Sequence, residues 1–189
     1  MFSLKKRYFL IIKSIKDINL KNIKRRNKFT IVYRNLNSTE NKDHLIKFRK
    51  NCKLKSIDFY VANDVNLAID LNSDGLYLSS YNRSFKALSL KKPNFNIIGS
   101  AHSHKEIFMK VKQGCREILF SKLFLVNYDS KSPFLGIIKF NNYLKLNRKL
   151  IPLGGISLNN LHILNLINCS GFALMSEIKK KPAIFDRLF

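Results

Sequence analysis

The chain is poor in acidic residues, in cysteine and in long apolar stretches. Only 12 of its 189 residues are Asp or Glu, against 35 Lys and Arg. The three cysteines, Cys52, Cys115 and Cys169, form no Cys-x-x-Cys pair, which argues against a metal or redox motif and for small thiols in a reduced cytoplasm. No run of about 18 apolar residues occurs, so we expect no membrane-spanning helix and a cytoplasmic protein. Neither Gly-x-Gly-x-x-Gly nor a Walker loop is present, which disfavours nucleotide-binding folds.

The basic excess gives the chain a formal net charge of +23. A charge of this size is compatible with nucleic-acid binding, but the lysines and arginines are spread along the whole chain. Their densest cluster, residues 21–28, falls between the first two apolar runs. We interpret the charge as a solvated basic surface that attracts phosphorylated substrates, so nucleic acid is not the expected partner.

Short apolar runs alternate with helical patterns along the chain, which is typical of βαβ units around a parallel sheet. Eight such runs favour a closed (β/α)8 barrel, the TIM barrel, and the 189 residues would form it as one compact domain over residues 1–189. The predicted strands are residues 8–12, 30–33, 57–61, 75–78, 96–100, 117–120, 150–153 and 171–175. The predicted helices are residues 42–52, 65–71, 85–91, 105–113, 139–146 and 159–167, with a weaker one at 19–26.

Catalytic residues of parallel α/β folds lie at the carboxyl ends of the strands. The residues that follow the predicted strands are mostly small or polar, and acids are nearly absent among them. Asp64 is the one carboxylate directly behind a strand, apart from Asp129 in a longer loop. Such a rim suits an anionic ligand. By itself it would hold a divalent cation poorly, because Mg²⁺ is usually bound by one or two carboxylates together with substrate phosphates.

The last two predicted strands both end in small residues. Residues 150–156 read Leu-Ile-Pro-Leu-Gly-Gly-Ile, and residues 171–176 read Gly-Phe-Ala-Leu-Met-Ser. Glycine lets backbone N–H groups come close to a ligand because it has no side chain. The loops after the last two strands of a TIM barrel frequently bind phosphate. The end of the chain therefore predicts a site for a phosphorylated ligand.

Five short motifs, in order, resemble the thiamine phosphate synthases and their TenI relatives. Residues 98–103, Ile-Gly-Ser-Ala-His-Ser, resemble the family's Ser-x-His turn. Residues 61–64, Val-Ala-Asn-Asp, resemble its Asn-Asp turn, and residues 74–78, Asp-Gly-Leu-Tyr-Leu, resemble its Asp-Gly-Val-His-Leu strand. Residues 153–156 and 171–176 are similar to the family's closing segments. The resemblance implies a (β/α)8 barrel that joins hydroxymethylpyrimidine pyrophosphate to thiazole phosphate with Mg²⁺, releasing pyrophosphate.

The resemblance also implies roles for individual residues at the phosphate sites. It places the pyrophosphate at Ser100, which we also count as a catalytic residue, with Arg34 and Lys131 steadying the same group. The loops that bind the thiazole phosphate correspond to Gly154, Gly155, Met175 and Ser176. The implied ligands are therefore small phosphorylated thiazole and pyrimidine molecules.

The metal and pyrimidine half of the implied site is less complete. The first Mg²⁺ aspartate of the family corresponds to Asp64, whereas the second falls on Asn82. The family's Gln-x-Arg-x-Lys motif, which binds the pyrimidine, falls on Val32, Arg34 and Leu36, so that only its arginine is retained.

Two other functions stay open. In the TenI branch the same barrel binds thiazole phosphate without the transferase reaction, and a histidine of the Ser-x-His turn catalyses thiazole tautomerisation. His102 occupies that position, and an imidazole that titrates near neutral pH can transfer a proton. The third hypothesis is a non-catalytic protein that binds a phosphate ligand or RNA on a decayed barrel.

Three of the candidate residues also have a structural interpretation. His102 could hydrogen-bond its own turn. Asp64 could cap the helix that starts at Val65, a position for which aspartate is well suited. Arg34 could be a solvated loop arginine.

Overall fold

Eight parallel strands form the sheet of this protein. The computed structural model describes residues 7–23, 28–35, 40–90, 94–126, 133–147 and 149–175. The strands are β1 (Arg7–Ile12), β2 (Phe29–Tyr33), β3 (Asp58–Ala62), β4 (Gly75–Leu78), β5 (Asn96–Ala101), β6 (Glu117–Phe120), β7 (Leu150–Pro152) and β8 (Gly171–Leu174). All eight predicted strands are confirmed, with ends that differ by at most one residue because strand boundaries depend on pairing rather than on composition.

The sheet closes on itself, as the predicted (β/α)8 barrel requires. Its strands lie in the order β7-β6-β5-β4-β3-β2-β1-β8. The first and last strands in that order meet through a parallel bridge between Leu153, directly after β7, and Ala173 of β8. The barrel is nearly continuous, so the carboxyl ends of all strands lie at one rim.

Alternation along the strands divides the buried residues into two clusters. The cluster inside the barrel consists of Phe9, Ile11, Val32, Tyr60, Tyr77, Ile98, Leu119, Ile151 and Ala173. The intervening residues, such as Leu10, Ile31 and Phe59, face outward and form the larger cluster with the helices. Since side chains alternate between the two faces of a strand, Arg34, Ser100 and Ser121 continue the inward-facing rows at the carboxyl rim.

In the part of the chain that the structure describes, four α-helices connect strands on the outside of the barrel: α1 (Lys42–Leu54), α2 (Val65–Asp70), α3 (His104–Lys112) and α4 (Gly136–Leu146). Three of them begin with a polar cap. Asn41 accepts a hydrogen bond from Asp43 N at the start of α1, Asp64 from Leu67 N in α2, and Ser103 from Glu106 N in α3. These caps satisfy backbone N–H groups that the first turn of a helix leaves free.

The other three predicted helices are wrong as α-helices. The described residues 85–90 and 159–167 contain only the 3₁₀ segments Lys86–Ser89 and Leu161–Leu166. Leu20–Asn22 is the only helical turn in the described part of residues 19–26. In the last connection the Asn160 side chain donates to Gly155 O and accepts from Ser157 N, so it closes a loop instead of capping a helix.

Within the described residues, no helix has both the length and the apolar character needed to span a membrane.

Candidate active site

Arg34, Tyr77 and Ser100 form a polar group where the interior of the barrel meets the carboxyl rim. Tyr77 is the inward residue of β4 and is 1% exposed, and its hydroxyl lies beside Ser100, which is 4% exposed. Burial raises the pKa of Tyr77, while the neighbouring Ser100 side chain and the positive charge of Arg34 act in the opposite direction. The guanidinium of Arg34 therefore lies within electrostatic reach of the Tyr77–Ser100 pair.

Arg34 is held at this position by its backbone, while part of its side chain has no described partner. Its backbone N–H donates to Ile12 O at 2.8 Å, which fixes the residue directly after β2. Its Nε atom is buried, and among the described residues nothing accepts a hydrogen bond from it. Because a buried donor without an acceptor is costly, this guanidinium is suited to an anion that enters the mouth of the barrel.

His102 lies behind β5 and contacts the loop that follows β6. Its Nδ1 atom is 2.8 Å from Ser121 Oγ, and its backbone N–H donates to Glu106 Oε2 at 2.7 Å. Ser121 is 7% exposed, whereas His102 is exposed. A hydroxyl on Nδ1 fixes the ring orientation and leaves Nε2 for another partner. The arrangement suits an imidazole that exchanges a proton with a ligand at the rim.

The Gly154–Gly155 turn packs against the loop after β6. Both glycines have positive φ, +94° at Gly154 and +68° at Gly155. Phe124 N donates to Gly154 O at 3.0 Å, and Asn160 Nδ2 donates to Gly155 O at 2.8 Å. In the part of the chain that the structure describes, no group accepts a hydrogen bond from the Gly155 N–H. That N–H can serve a phosphate, as the turn predicts.

Asp64 and Asn82 line a different, open cavity of about 520 Å³. Its lining includes Leu76 and Leu78, which face away from the barrel interior. Asp64 is exposed, and its Oδ1 accepts the capping hydrogen bond from Leu67 N at 2.9 Å. The helix cap anticipated for this residue is therefore present.

The donor set around Asp64 and Asn82 offers few free oxygen ligands for Mg²⁺. Asn82 Oδ1 accepts from Ser84 N, and Asn82 Nδ2 donates to Asn63 Oδ1. Mg²⁺ requires oxygen ligands in near-octahedral geometry, and an amide N–H₂ group cannot provide one. Among the described residues no cluster of three His, Cys, Asp or Glu side chains could hold a metal. A metal role for these two residues stays a prediction.

The structure brings some of the predicted residues together and leaves others outside its description. Arg34, Asp64, Ser100, His102 and Gly155 all lie at or just beyond carboxyl ends of strands. Met175 follows β8 and packs against the inner cluster. Predictions for Leu36, Lys131 and Ser176 lie outside the described residues.

The sequence assigned no site role to two hydroxyl residues of this rim, Tyr77 and Ser121, although Ser121 directly follows a predicted strand. Tyr77 supplies the hydroxyl beside Ser100, and Ser121 supplies the hydroxyl beside His102. The signal that could have found them is the alternation of the strands, since Tyr77 lies two residues after Gly75 and Ser121 two residues after Leu119.

Comparison with known proteins agrees with this architecture. The family model described as thiamine monophosphate synthase matches residues 9–178. The chain belongs to this family. Thiamine-phosphate synthase from Latilactobacillus sakei subsp. sakei (strain 23K) is 26% identical over 147 residues, which are 75% of this chain and 65% of that protein. The match therefore spans just under two thirds of that relative's length.

Solved structures share the fold with this member of the thiamine monophosphate synthase family. Thiamine phosphate pyrophosphorylase from Pyrococcus furiosus superposes with a TM-score of 0.73 at 16% identity, covering 98% of this chain and 96% of that one. KGPDC from Streptococcus mutans gives a TM-score of 0.63 at 8% identity, with 97% of each chain covered. At these identities the similarity shows the barrel, and the family assignment rests on the sequence match.

Proposed function

We propose that this protein joins hydroxymethylpyrimidine pyrophosphate to thiazole phosphate, the reaction that its family resemblance implies. The observation that carries the proposal is the buried Nε of Arg34, which has no described partner and lies near the Tyr77–Ser100 pair. A guanidinium with a buried N–H that lacks an acceptor suits a phosphate group, because its planar N–H groups match phosphate oxygens in pairs.

In this reaction the bond between the pyrimidine methylene carbon and the pyrophosphate oxygen breaks. The pyrophosphate leaves with the electron pair, and the lone pair of the thiazole nitrogen forms the new C–N bond. Arg34 stabilises the negative charge that develops on the leaving pyrophosphate, and Ser100 donates a hydrogen bond to it. Donors that are already in position for such a charge lower the barrier because they need no reorganisation during the reaction.

The thiazole phosphate is assigned to the turn at Gly154 and Gly155. The positive φ values of both glycines support this assignment, as does the N–H of Gly155, for which the described residues provide no acceptor. Met175, at the end of the neighbouring β8, borders the same part of the rim. The basic surface of a chain with a net charge of +23 would attract both phosphorylated ligands.

Arg34→Met tests the pyrophosphate assignment. We expect affinity for inorganic pyrophosphate, measured by calorimetry, to fall by about 10- to 100-fold, since a hydrogen bond to a charged group contributes about 1.5–3 kcal/mol. Formation of thiamine phosphate from the two substrates should fall at least as far.

Arg116→Met is the matched control, because it removes the same charge directly before the amino end of β6, at the opposite end of the barrel from the carboxyl rim. It should leave pyrophosphate affinity nearly unchanged. Equal losses in both variants would mean that only net charge matters, and an unaffected Arg34→Met variant would exclude Arg34 from the site.

A second candidate function is proton transfer on thiazole phosphate by His102, as in the TenI branch. The contact between His102 Nδ1 and Ser121 Oγ favours it, because it orients an exposed imidazole at the same rim. The two functions differ in their need for the pyrimidine substrate, so a chain that binds thiazole phosphate and not the pyrimidine pyrophosphate would support the second.

A further inference from the structure

The turn that follows β4 is fixed by two asparagine side chains whose orientations are determined. Asn63 Oδ1 accepts three hydrogen bonds, from Ser79 N at 2.9 Å, Ser79 Oγ at 3.0 Å and Asn82 Nδ2 at 3.0 Å. A backbone N–H can only donate, so the bond from Ser79 N identifies this atom of Asn63 as the oxygen. Asn63 itself is held at φ +60° between β3 and α2.

The same reasoning fixes Asn82. Its Oδ1 accepts from the backbone N–H of Ser84 at 2.9 Å, so its N–H₂ group must be the one that faces Asn63. An aspartate at this position would bring a second acceptor to within about 3 Å of Asn63 Oδ1, with no proton between them. Asparagine is therefore the residue that this turn requires, and aspartate would break its hydrogen bonds.

Two buried residues, Lys110 near the end of α3 and Gln113 directly after it, donate hydrogen bonds to backbone carbonyl groups of this turn. Lys110 Nζ donates to Asn82 O at 2.8 Å and to Gln113 Oε1 at 2.9 Å. Gln113 Nε2 donates to Asn82 O at 3.1 Å and to Ser84 O at 2.8 Å. Lys110 is 0% exposed and Gln113 is 1% exposed. The described carboxylates form no ion pair with Lys110, so its charge remains uncompensated by an acid in direct contact.

Gly99 of β5 provides the space that the side chain of Lys110 occupies. A Cβ atom added to Gly99 of β5 would lie 2.8 Å from Lys110 Cδ and 3.0 Å from its Cγ. The absence of a side chain at residue 99 therefore leaves room for the lysine stem to reach the turn. This places the amino group of Lys110 against the backbone carbonyl of Asn82.

We propose that Asn63, Asn82, Lys110 and Gln113 together replace the second metal ligand at this rim, and that the protein binds its phosphorylated ligands without a divalent cation. The Oδ1 of Asn82 already accepts from Ser84 N and its N–H₂ group is turned to Asn63 Oδ1, so a divalent cation would find no free carboxylate oxygen at residue 82. The part concerning ligands rests on the proposed function, whereas the part concerning the turn does not.

The metal-binding part is tested on the full chain with Mn²⁺ as a probe, followed by the loss of the free-ion signal in electron paramagnetic resonance. The wild-type protein should not bind Mn²⁺ at about millimolar concentration. Asn82→Asp should lower the melting temperature and gain no Mn²⁺ affinity. Asn66→Asp is the matched control, because it adds the same charge at an exposed position of the same cavity.

Tight Mn²⁺ binding by the wild-type protein would by itself overturn the proposal, whatever the variants showed. It would also be overturned if Asn82→Asp kept the wild-type melting temperature and gained about tenfold in Mn²⁺ affinity, a ratio that a new carboxylate ligand could provide.

The role of the lysine has its own local readout. Lys110→Met should accelerate hydrogen exchange of the Ser84 amide, whose acceptor is Asn82, while Lys112→Met, an exposed lysine of the same helix, should not. If the Ser84 amide exchanged at the wild-type rate in Lys110→Met, the proposed role of Lys110 in holding this turn would be wrong.

The ligand part is tested by calorimetry with inorganic pyrophosphate, in EDTA and in Mg²⁺. Affinities that agree within about threefold support the proposal, and a gain of about tenfold or more with Mg²⁺ contradicts it. Should pyrophosphate not bind in either condition, the proposed function and metal-free ligand binding would both fail, while the Mn²⁺ and exchange results would still decide the structure of the turn.

Discussion

Gly155→Ala is expected to destabilise the protein severely and to abolish binding of thiazole phosphate. A Cβ atom at this position would lie 2.4 Å from Leu125 O and 2.6 Å from the carbonyl carbon of Phe124. Both are backbone atoms of the loop after β6, so relief requires that loop to move. The backbone of Gly155 also has φ +68°, which adds about 1–2 kcal/mol for any residue with a side chain.

Gly136→Ala is the matched control for this prediction. Gly136 has the same φ of +68°, and a Cβ atom there would meet nothing within 4 Å. It should therefore show only the conformational cost, a fall in melting temperature of roughly 2–8 °C for a chain of this size. Thermal melts and calorimetry with thiazole phosphate measure both effects. If the two variants were equally stable, the contact of Gly155 with the β6 loop would not matter.

His102→Ala is expected to remove any thiazole tautomerase activity while leaving thiazole phosphate bound. The loss of a general acid or base typically lowers a rate by about 10²–10⁴-fold. The phosphate is assigned to the Gly154–Gly155 turn, which does not depend on the histidine for its hydrogen bonds. Steady-state rates and calorimetry on the same preparation separate the two effects.

His104→Ala serves as the control for His102. His104 is also exposed and belongs to the same segment, but its ring packs against Tyr143, with 6.4 Å between ring centres. It should retain the tautomerase rate. A His102→Ala variant with an unchanged rate would exclude proton transfer by this residue, and formation of thiamine phosphate at a normal rate by the wild type would favour the transferase.

Much of the fold could be predicted because the buried strands of a parallel barrel are short apolar runs bounded by polar turns. Every strand was found in this way, together with the helices α1 to α4. The connections 85–91 and 159–167 were predicted less well, since apolar periodicity alone does not show whether a side chain such as Asn160 will bond a loop instead of capping a helix.

The candidate site was predictable only in part. Residues that directly follow strands, such as Arg34 and His102, could be assigned to the rim from the alternation of strands and helices. The residues that they contact could not be predicted from the sequence. Ser121 is 19 residues from His102, and Lys110 is 28 residues from Asn82, and contacts at such separations depend on which strands are neighbours and on how the helices pack over them.

By itself, the sequence determined the barrel, the rim at which its polar residues gather and the family to which it belongs, because each is encoded in local patterns of apolar, polar and glycine residues. Only the tertiary structure decided the role of Asn82. In the sequence it resembles a lost metal ligand. In the fold its amide bonds Asn63 and Ser84, while Lys110 and Gln113 hold its backbone. Hydrogen bonds between distant segments have direction, and only the folded chain determines which atom faces which.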